Sequence, residues 1–343
     1  MKKIAMINFG GLGDEILFLP AIKSVKKTYP DSEITLVTEP RSKAIKDLTT
    51  LIDNIIECDI KSIKKHLEIL RLIVRLRRRK FDMIISSGGS PLISVILALT
   101  GIKEKYGYDT GLLSRILLTK TIKLNKKQYA GNMYHDLVSK ICDLEAELPQ
   151  IETEPETYHT NPNQKTDDFV VPDSDKKIIL IHPGSSKLSK EKNIIKSYDK
   201  WPELIKKLQD SDKYTIWLAG GPDDKEVINE ITQKIDTKNM MNFYGKTKNI
   251  KHLIKLMKRA DLCICIDSAP LHIAVGLQKN LIGIFGPTDE KKLMPQHELF
   301  TPVSNYTGCR PCLWDKRQES CDKLNCLKIS SDKLFNIIEN KLI

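Results

Sequence analysis

Two short runs carry side chains whose types and spacing could do chemistry. In Asn8-Phe9-Gly10-Gly11-Leu12-Gly13-Asp14 a glycine-rich turn follows the apolar Lys3-Ile4-Ala5-Met6-Ile7 and ends in a single carboxylate before an amphipathic stretch. Glycine tolerates positive φ and has no Cβ, so such a turn lets backbone approach a ligand closely. Position alone leaves Asp14 two readings, a cap on free helical N–H groups or a carboxylate aimed into a cleft. The second run, Asp267-Ser268-Ala269-Pro270-Leu271-His272, follows the apolar Asp261-Leu262-Cys263-Ile264-Cys265-Ile266 and precedes Ile282-Gly283-Ile284-Phe285-Gly286-Pro287-Thr288-Asp289. Polar groups just past the carboxyl end of a strand, beside a helix start, suit an anion such as a diphosphate.

Strands and helices must position these groups. Residues 4–7 read as a buried strand and residues 15–28 as a helix whose Phe18, Ile22 and Val25 fall on one core-facing side. Further strands are expected at residues 33–37 and 81–85, and this alternation implies βαβ units with a parallel sheet. Polar, irregular residues dominate from 152 to 175, including Asn161-Pro162-Asn163-Gln164, and mark a domain boundary. The second half restarts with Lys177-Ile178-Ile179-Leu180-Ile181 and His182-Pro183-Gly184-Ser185-Ser186. It continues with Tyr214-Thr215-Ile216-Trp217-Leu218 into Ala219-Gly220-Gly221-Pro222-Asp223-Asp224. The expected architecture is α/β, two Rossmann-like domains facing each other across a cleft, with boundaries at residues 1–160 and 175–343.

The chain has 343 residues and a formal net charge of +11, compatible with nucleic acid, anionic lipid or phosphorylated small molecules as partners. Within residues 61–80, basic side chains accompany Ile63, Leu67, Leu70, Ile73, Val74 and Leu76, mostly at helical spacing. Such a basic amphipathic helix is a solvated outer face, a contact for an anionic membrane surface or a nucleic-acid contact. No recognised nucleic-acid module accompanies it, so nucleic acid is not the expected partner. There is no apolar run of spanning length and no secretory h-region after Met1-Lys2-Lys3, and the expectation is a cytoplasmic protein.

In their order and spacing, NFGGLGDEILFLPAIKSVKKTYPDSEITLVTEP, IHPGSS, LAGGPDD and CICIDSAPLHIAVGLQKNLIGIFGPTD make the chain resemble glycosyltransferase family 9, the heptosyltransferases of lipopolysaccharide core assembly. The resemblance covers nearly the whole chain. It implies a GT-B fold, an ADP-heptose donor, an inverting reaction without a required cofactor, and a lipid-linked or other glycan acceptor at the cytoplasmic face of the inner membrane. It makes Asp14 the catalytic base, with Gly10, Gly11 and Gly13 letting the sugars approach. Ser185 and Ser186 would hold phosphate oxygens, and Lys192, in competition with Lys187 and Lys190, would neutralise the leaving diphosphate. Asp224 is a ribose ligand or a helix cap. Asp267, Ser268 and His272 match the family's donor pattern, with Ala269 where glycine is usual.

Cys309, Cys312, Cys321 and Cys326 are spaced C-x2-C-x8-C-x4-C. Four thiolates can enclose a structural zinc or iron ion, as in protein-modifying members of the family; unmetallated thiols and redox-dependent disulfides are the alternatives. Competing functions are transfer from another nucleotide sugar, glycosylation of a protein, and a nonenzymatic nucleotide-binding scaffold. The pairing of Asp14 with Asp267 argues against a scaffold. An NAD dehydrogenase is disfavoured because the first turn lacks the full dinucleotide pattern.

Overall fold

The computed structural model describes residues 1–152, 169–191, 194, 196–236, 239–313, 321 and 323–342. The expected boundary run Asn161-Pro162-Asn163-Gln164 lies outside them. The chain divides into two units, Met1–Glu156 and Thr157–Ile343. Unit 1 contains strands β1 (Lys3–Ile7), β2 (Glu33–Thr38), β3 (Asn54–Glu57), β4 (Met83–Ser86), β5 (Glu104–Tyr108) and β6 (Lys120–Ile122). Its helices are α1 (Leu12–Thr28), α2 (Lys65–Arg79), α3 (Pro91–Leu99), α4 (Leu112–Leu117) and α5 (Ala130–His135). Unit 2 contains β7 (Lys177–His182), β8 (Tyr214–Leu218), β9 (Met240–Asn242), β10 (Leu262–Ile266), β11 (Leu281–Phe285) and β12 (Phe300–Ser304). Its helices are α6 (Lys187–Glu191), α7 (Trp201–Asp210), α8 (Lys225–Lys234), α9 (Ile250–Arg259), α10 (Ala269–Gly276), α11 (Glu290–Leu293) and α12 (Ser331–Leu342).

Both sheets are parallel and wound alike. Their orders are β3-β2-β1-β4-β5-β6 and β12-β11-β10-β7-β8-β9, so in each unit the first strand lies beside the fourth. The chain therefore changes winding direction at β1/β4 and at β7/β10, and ligands of doubly wound sheets bind beyond the carboxyl ends of the strands at that point. Both expected reactive runs leave a strand there: Asn8 to Asp14 follows β1, and Asp267 to His272 follows β10.

Burial explains why these segments form. Strand residues Ile4, Met6, Ile84 and Ile85 are fully buried, as parallel strands covered on both faces must be. Helix α1 is buried along most of its length, with Phe18, Ile22 and Val25 in the core as expected. It starts at Leu12, three residues before its expected start, because Gly11 serves as N-cap and Asp14 falls within the first turn. In unit 2, Ile179, Ile181, Ile264 and Ile266 pack with Trp201, Leu204 and Ile338. Burying each such side chain contributes about 1.5–3 kcal/mol.

Register is held at the opposite, amino-terminal edge by a recurring aspartate. Asp82, Asp53 and Asp261 stand just before β4, β3 and β10, and each accepts the N–H of a neighbouring strand at 2.7 Å, from Lys3, Ile34 and Ile178 respectively. Each also donates its own N–H back to the same residue's carbonyl at 2.9 Å. Asp261→Ala should therefore destabilise unit 2 by about 1–2 kcal/mol, the scale of a lost charged hydrogen bond at a partly exposed site, measured as a lower midpoint of urea unfolding. An unchanged midpoint would show that strand pairing alone sets this register.

Candidate active site

In unit 1 the glycine turn is built around Asp14. Its Oδ2 accepts the Gly11 N–H at 2.8 Å, satisfying a donor at the helix start. A Cβ on Gly10 would lie 2.2 Å from the Asp14 Cβ and 2.7 Å from its Oδ2, so no larger residue fits. Gly11 has φ −79°, and the positive-φ glycines of the described residues are Gly101, Gly111 and Gly245. None of the turn glycines is left-handed, and Gly10 serves close packing against Asp14, correcting half of the sequence argument. Gly13 lies in the first turn of α1.

The other Asp14 oxygen, Oδ1, faces the Tyr134 hydroxyl at 3.4 Å. Burial and then the Asp14 charge push the Tyr134 phenol well above its ordinary pKa, so it stays protonated and donates. Tyr134 stands edge-on to Phe18 at 5.7 Å, which sets its direction. Capping and chemistry are compatible, because the cap uses one oxygen and leaves the other on a partly exposed side chain. Arg41, bound to the buried Glu39 at 2.6 Å, lies beside Gly11.

Directly below, Glu15 is fully buried. Thr38 donates to its Oε1 at 2.5 Å and Asn8 to its Oε2 at 3.2 Å, while Ser87 donates to Asn8 at 2.6 Å. Burial, opposed by the Thr38 bond and helped by the Asp14 charge, drives the Glu15 carboxyl well above the usual carboxylate range.

In unit 2 the reactive groups gather around Asp267, at the end of β10. Lys196 places its Nζ 2.7 Å from Asp267 Oδ2, and both side chains are largely buried. Burial would raise the Asp267 pKa, but the Lys196 ammonium outweighs it, aided by His272 and Thr288, and holds the carboxyl below its ordinary value. His272 and Thr288 are both buried. Ser268 precedes α10, its hydroxyl donating to the Ile266 carbonyl at 3.2 Å instead of capping the helix. Ala269 opens α10 outside the positive-φ positions, so its methyl meets no backbone penalty where glycine is usual.

Two of the three competing lysines are described. Lys192 lies outside the described residues. Lys190 binds the Asp223 carbonyl and approaches Glu226 at 3.8 Å, and Lys187 approaches Glu191 at 3.7 Å, so neither of these reaches Asp267 in this arrangement. Lys196 was missed because residues 71 apart in sequence leave no local signal of pairing; the clue was a strand-end aspartate in apolar surroundings, which needs a counter-charge. Ser185 is buried and Ser186 exposed. The first N–H of α6, from Lys187, is taken by the Asp223 carboxylate at 2.8 Å, where a phosphate was expected.

Asp224 realises the cap reading. Its Oδ2 accepts the Gly221 N–H at 2.8 Å and stands 3.7 Å from His182 Nε2, and a Cβ on Gly184 would lie 1.7 Å from its Oδ1. Asp224 is buried, and these contacts are those of the cap reading.

The four clustered cysteines are neighbours without forming a centre. Burial raises the Cys312 thiol, reinforced by Cys309 and Cys321, and raises Cys326, reinforced by Cys312 and Cys321. Cys326 is buried in the turn Asn325–Leu327, whereas Cys309 is exposed, its thiol 3.3 Å from the Thr307 hydroxyl. Among the described residues no group of three or more His, Cys, Asp or Glu side chains could hold a metal ion, so the expected zinc or iron ligand set is not assembled here. Arg310 instead ties this loop to the end of β11, donating to the carbonyls of Gly286 at 2.7 Å and Thr288 at 2.8 Å.

Comparison with known proteins places this geometry. The family model described as glycosyltransferase family 9 (heptosyltransferase) matches residues 69–323, more than half of the chain. Lipopolysaccharide heptosyltransferase 3 of Escherichia coli is 26% identical over 304 residues, 85% of this chain and 84% of that protein. Lipopolysaccharide core heptosyltransferase OpsX of Haemophilus influenzae is 26% identical over 312 residues, 89% and 85% of the respective chains. Among solved structures, E. coli ADP-heptose lps heptosyltransferase II aligns at TM-score 0.74 and 18% identity, over 100% of this chain and 98% of that one. The glycosyltransferase family 9 protein of Veillonella parvula aligns at TM-score 0.78 and 19% identity, over 99% and 97%. Two doubly wound units aligned over their full length with these structures make the fold GT-B. With the family's matched span running from within α2 to beyond β12 and taking in the strand-end site of unit 2, the chain belongs to glycosyltransferase family 9, the heptosyltransferases.

Proposed function

We propose that the chain transfers heptose from ADP-heptose to a lipopolysaccharide core or related glycan acceptor with inversion at the anomeric carbon, unit 1 receiving the acceptor and unit 2 the nucleotide sugar. The observation that carries this reading is the Lys196–Asp267 pair at the β7/β10 switch point, which sets a fixed cation and the amino end of α10 where a diphosphate would lie. Relatives of known structure include E. coli heptosyltransferase WaaC with ADP, at TM-score 0.70 and 17% identity over 99% of each chain.

In this mechanism Asp14 accepts the proton of an acceptor hydroxyl as that oxygen bonds to the anomeric carbon. The bond from that carbon to the diphosphate oxygen breaks, and ADP leaves with the bonding pair. Tyr134, kept protonated, and the Gly11 N–H hold the Asp14 carboxylate in direction. Lys196 stabilises negative charge growing on the diphosphate, and Asp267 fixes Lys196 while facing the donor sugar with Ser268 and His272. Ser185 and Ser186 border the same edge. Because Lys196 and helix N–H groups supply positive charge, the reaction needs no dissociable divalent ion, and saturating chelator should leave turnover unchanged; full loss restored by magnesium would overturn that point.

Asp14→Asn should lower kcat by at least about 100-fold with the KM for donor nearly unchanged, the scale of a lost general base. Near-normal turnover by folded protein would remove Asp14 from the reaction. Lys196→Met should weaken donor binding or turnover by about 10- to 100-fold, and its stability effect has a definite pH sign. In the wild type the lowered Asp267 pKa contributes stability above about pH 4, the ordinary carboxylate range, that is lost as pH falls through the folded value. Without Lys196, burial raises that pKa, so an ionised Asp267 becomes a penalty at neutral pH. The Tm deficit of the variant should therefore be large at pH 7 and shrink below about pH 4. A deficit independent of pH would show that the pair is not coupled to Asp267 ionisation.

A further inference from the structure

The outward surface of three successive unit 1 helices is not used by the chemistry above. In α2, Leu72, Ile73 and Leu76 are buried against the sheet, yet Leu67, Leu70 and Val74 point outward at i, i+3 and i+7, forming a second apolar stripe. Ile63, just before the helix, is fully exposed. Helix α2 packs on α3 and α3 on α4. These two helices carry further exposed apolar side chains, Leu92 and Leu99, then Leu112, Leu113 and Ile116. All of these side chains are between 45% and 101% exposed, whereas elsewhere among the described residues large exposed apolar side chains occur singly.

Charge flanks the stripe. Residues 61–80 hold nine Lys or Arg and one acid, Glu68. Helical spacing sets Arg71, Arg75 and Arg78 along one side of Leu67, Leu70 and Val74. Between α2 and β3 an open pocket of about 440 Å³ is lined by Arg75, Arg78 and Arg79 with Ile55, Ile56 and Glu57.

We propose that this three-helix face docks unit 1 on an anionic phospholipid bilayer, the arginines meeting headgroup phosphates and the leucine stripe entering the interfacial layer. Among the described residues no helix is long and apolar enough to cross a membrane, and the surface described here is the kind that lies on one. Charge complementarity selects this occupant. A second copy of the same face would set its arginines against one another, and nucleic acid would leave the apolar stripe without a partner. Apolar burial and basic attraction act together, as stable peripheral attachment requires two signals.

The test is co-sedimentation of the full chain with phosphatidylglycerol–phosphatidylcholine vesicles and with phosphatidylcholine vesicles, comparing wild type, Leu67→Ser/Leu70→Ser and Arg78→Glu/Arg79→Glu. All four changed residues are exposed and lie outside the proposed catalytic groups, so donor binding serves as the folding control. Wild type should prefer the anionic vesicles by at least about 10-fold, and each variant should lose at least about 10-fold of that binding, with only the arginine contribution weakened by salt. Absence of vesicle binding, equal binding to neutral vesicles, or variants that bind like wild type would overturn the proposal. So would a wild-type dimer in sedimentation equilibrium that the leucine changes dissociate, or nucleic-acid binding indifferent to those changes. None of these readings depends on which sugar is transferred.

Discussion

A carboxylate folded back onto the backbone of its own helix start is the interaction on which both ends of this chain depend. Asp14 accepts from Gly11 and Asp224 from Gly221, each at 2.8 Å and each three residues on. In both places a glycine leaves the space that the carboxyl occupies, Gly10 in one unit and Gly184 in the other. The device places a negative group at the positive end of a helix, where the helix dipole favours it. Its surroundings decide its further use. Asp224 is buried beside His182 and Gly184, whereas the Asp14 side chain is partly exposed and meets the Tyr134 hydroxyl.

The carboxyls of the two candidate sites have different partners. Unit 2 buries a true ion pair, which is costly to desolvate; removing one partner alone costs about 3–5 kcal/mol, although an apolar replacement of both can be neutral. The Lys196–Asp267 pair is therefore better explained by a need for fixed charge at the strand end than by stability. Unit 1 surrounds its most buried acid with neutral hydrogen-bonding groups. Glu15 stands next to Asp14 with hydroxyl and amide partners and, among the described residues, no ion pair, and burial raises its pKa. Glu15 ties Asn8 and Thr38 to the base of the turn below Asp14.

Much of the fold was legible because doubly wound sheets have a local code: apolar strand, polar turn, amphipathic helix. The central strands β1, β7, β8 and β10, the buried face of α1 and both reactive strand ends follow from it. Short edge strands such as β6 and β9 carry too few residues for periodicity to show. The aspartates before β3, β4 and β10 are visible as a letter in the sequence, but their role appears only when the neighbouring strand is known. Long-range pairings were beyond sequence reasoning for the same reason. Tyr134 meets Asp14 across 120 residues and Lys196 meets Asp267 across 71, and nothing near either lysine or tyrosine announces its partner.

The cysteines and helix α2 show how one pattern admits two structures. Four thiols in a short span have metal-like spacing and lie near one another, Cys326 buried and Cys309 exposed, but among the described residues no group of three or more ligands could hold a metal ion. Helix α2 has more apolar residues than one packed face can use. Periodicity grouped Leu67, Leu70, Ile73, Val74 and Leu76 together, yet only Ile73 and Leu76 of these are buried. The sheet takes the face it can cover, and the remaining leucines stay beside arginines because long cationic side chains can cover apolar surface while keeping their heads in a polar layer. A helix meant only for solvent would gain nothing from that second stripe, so its persistence across α3 and α4 marks an interface whose other side must be both anionic and apolar.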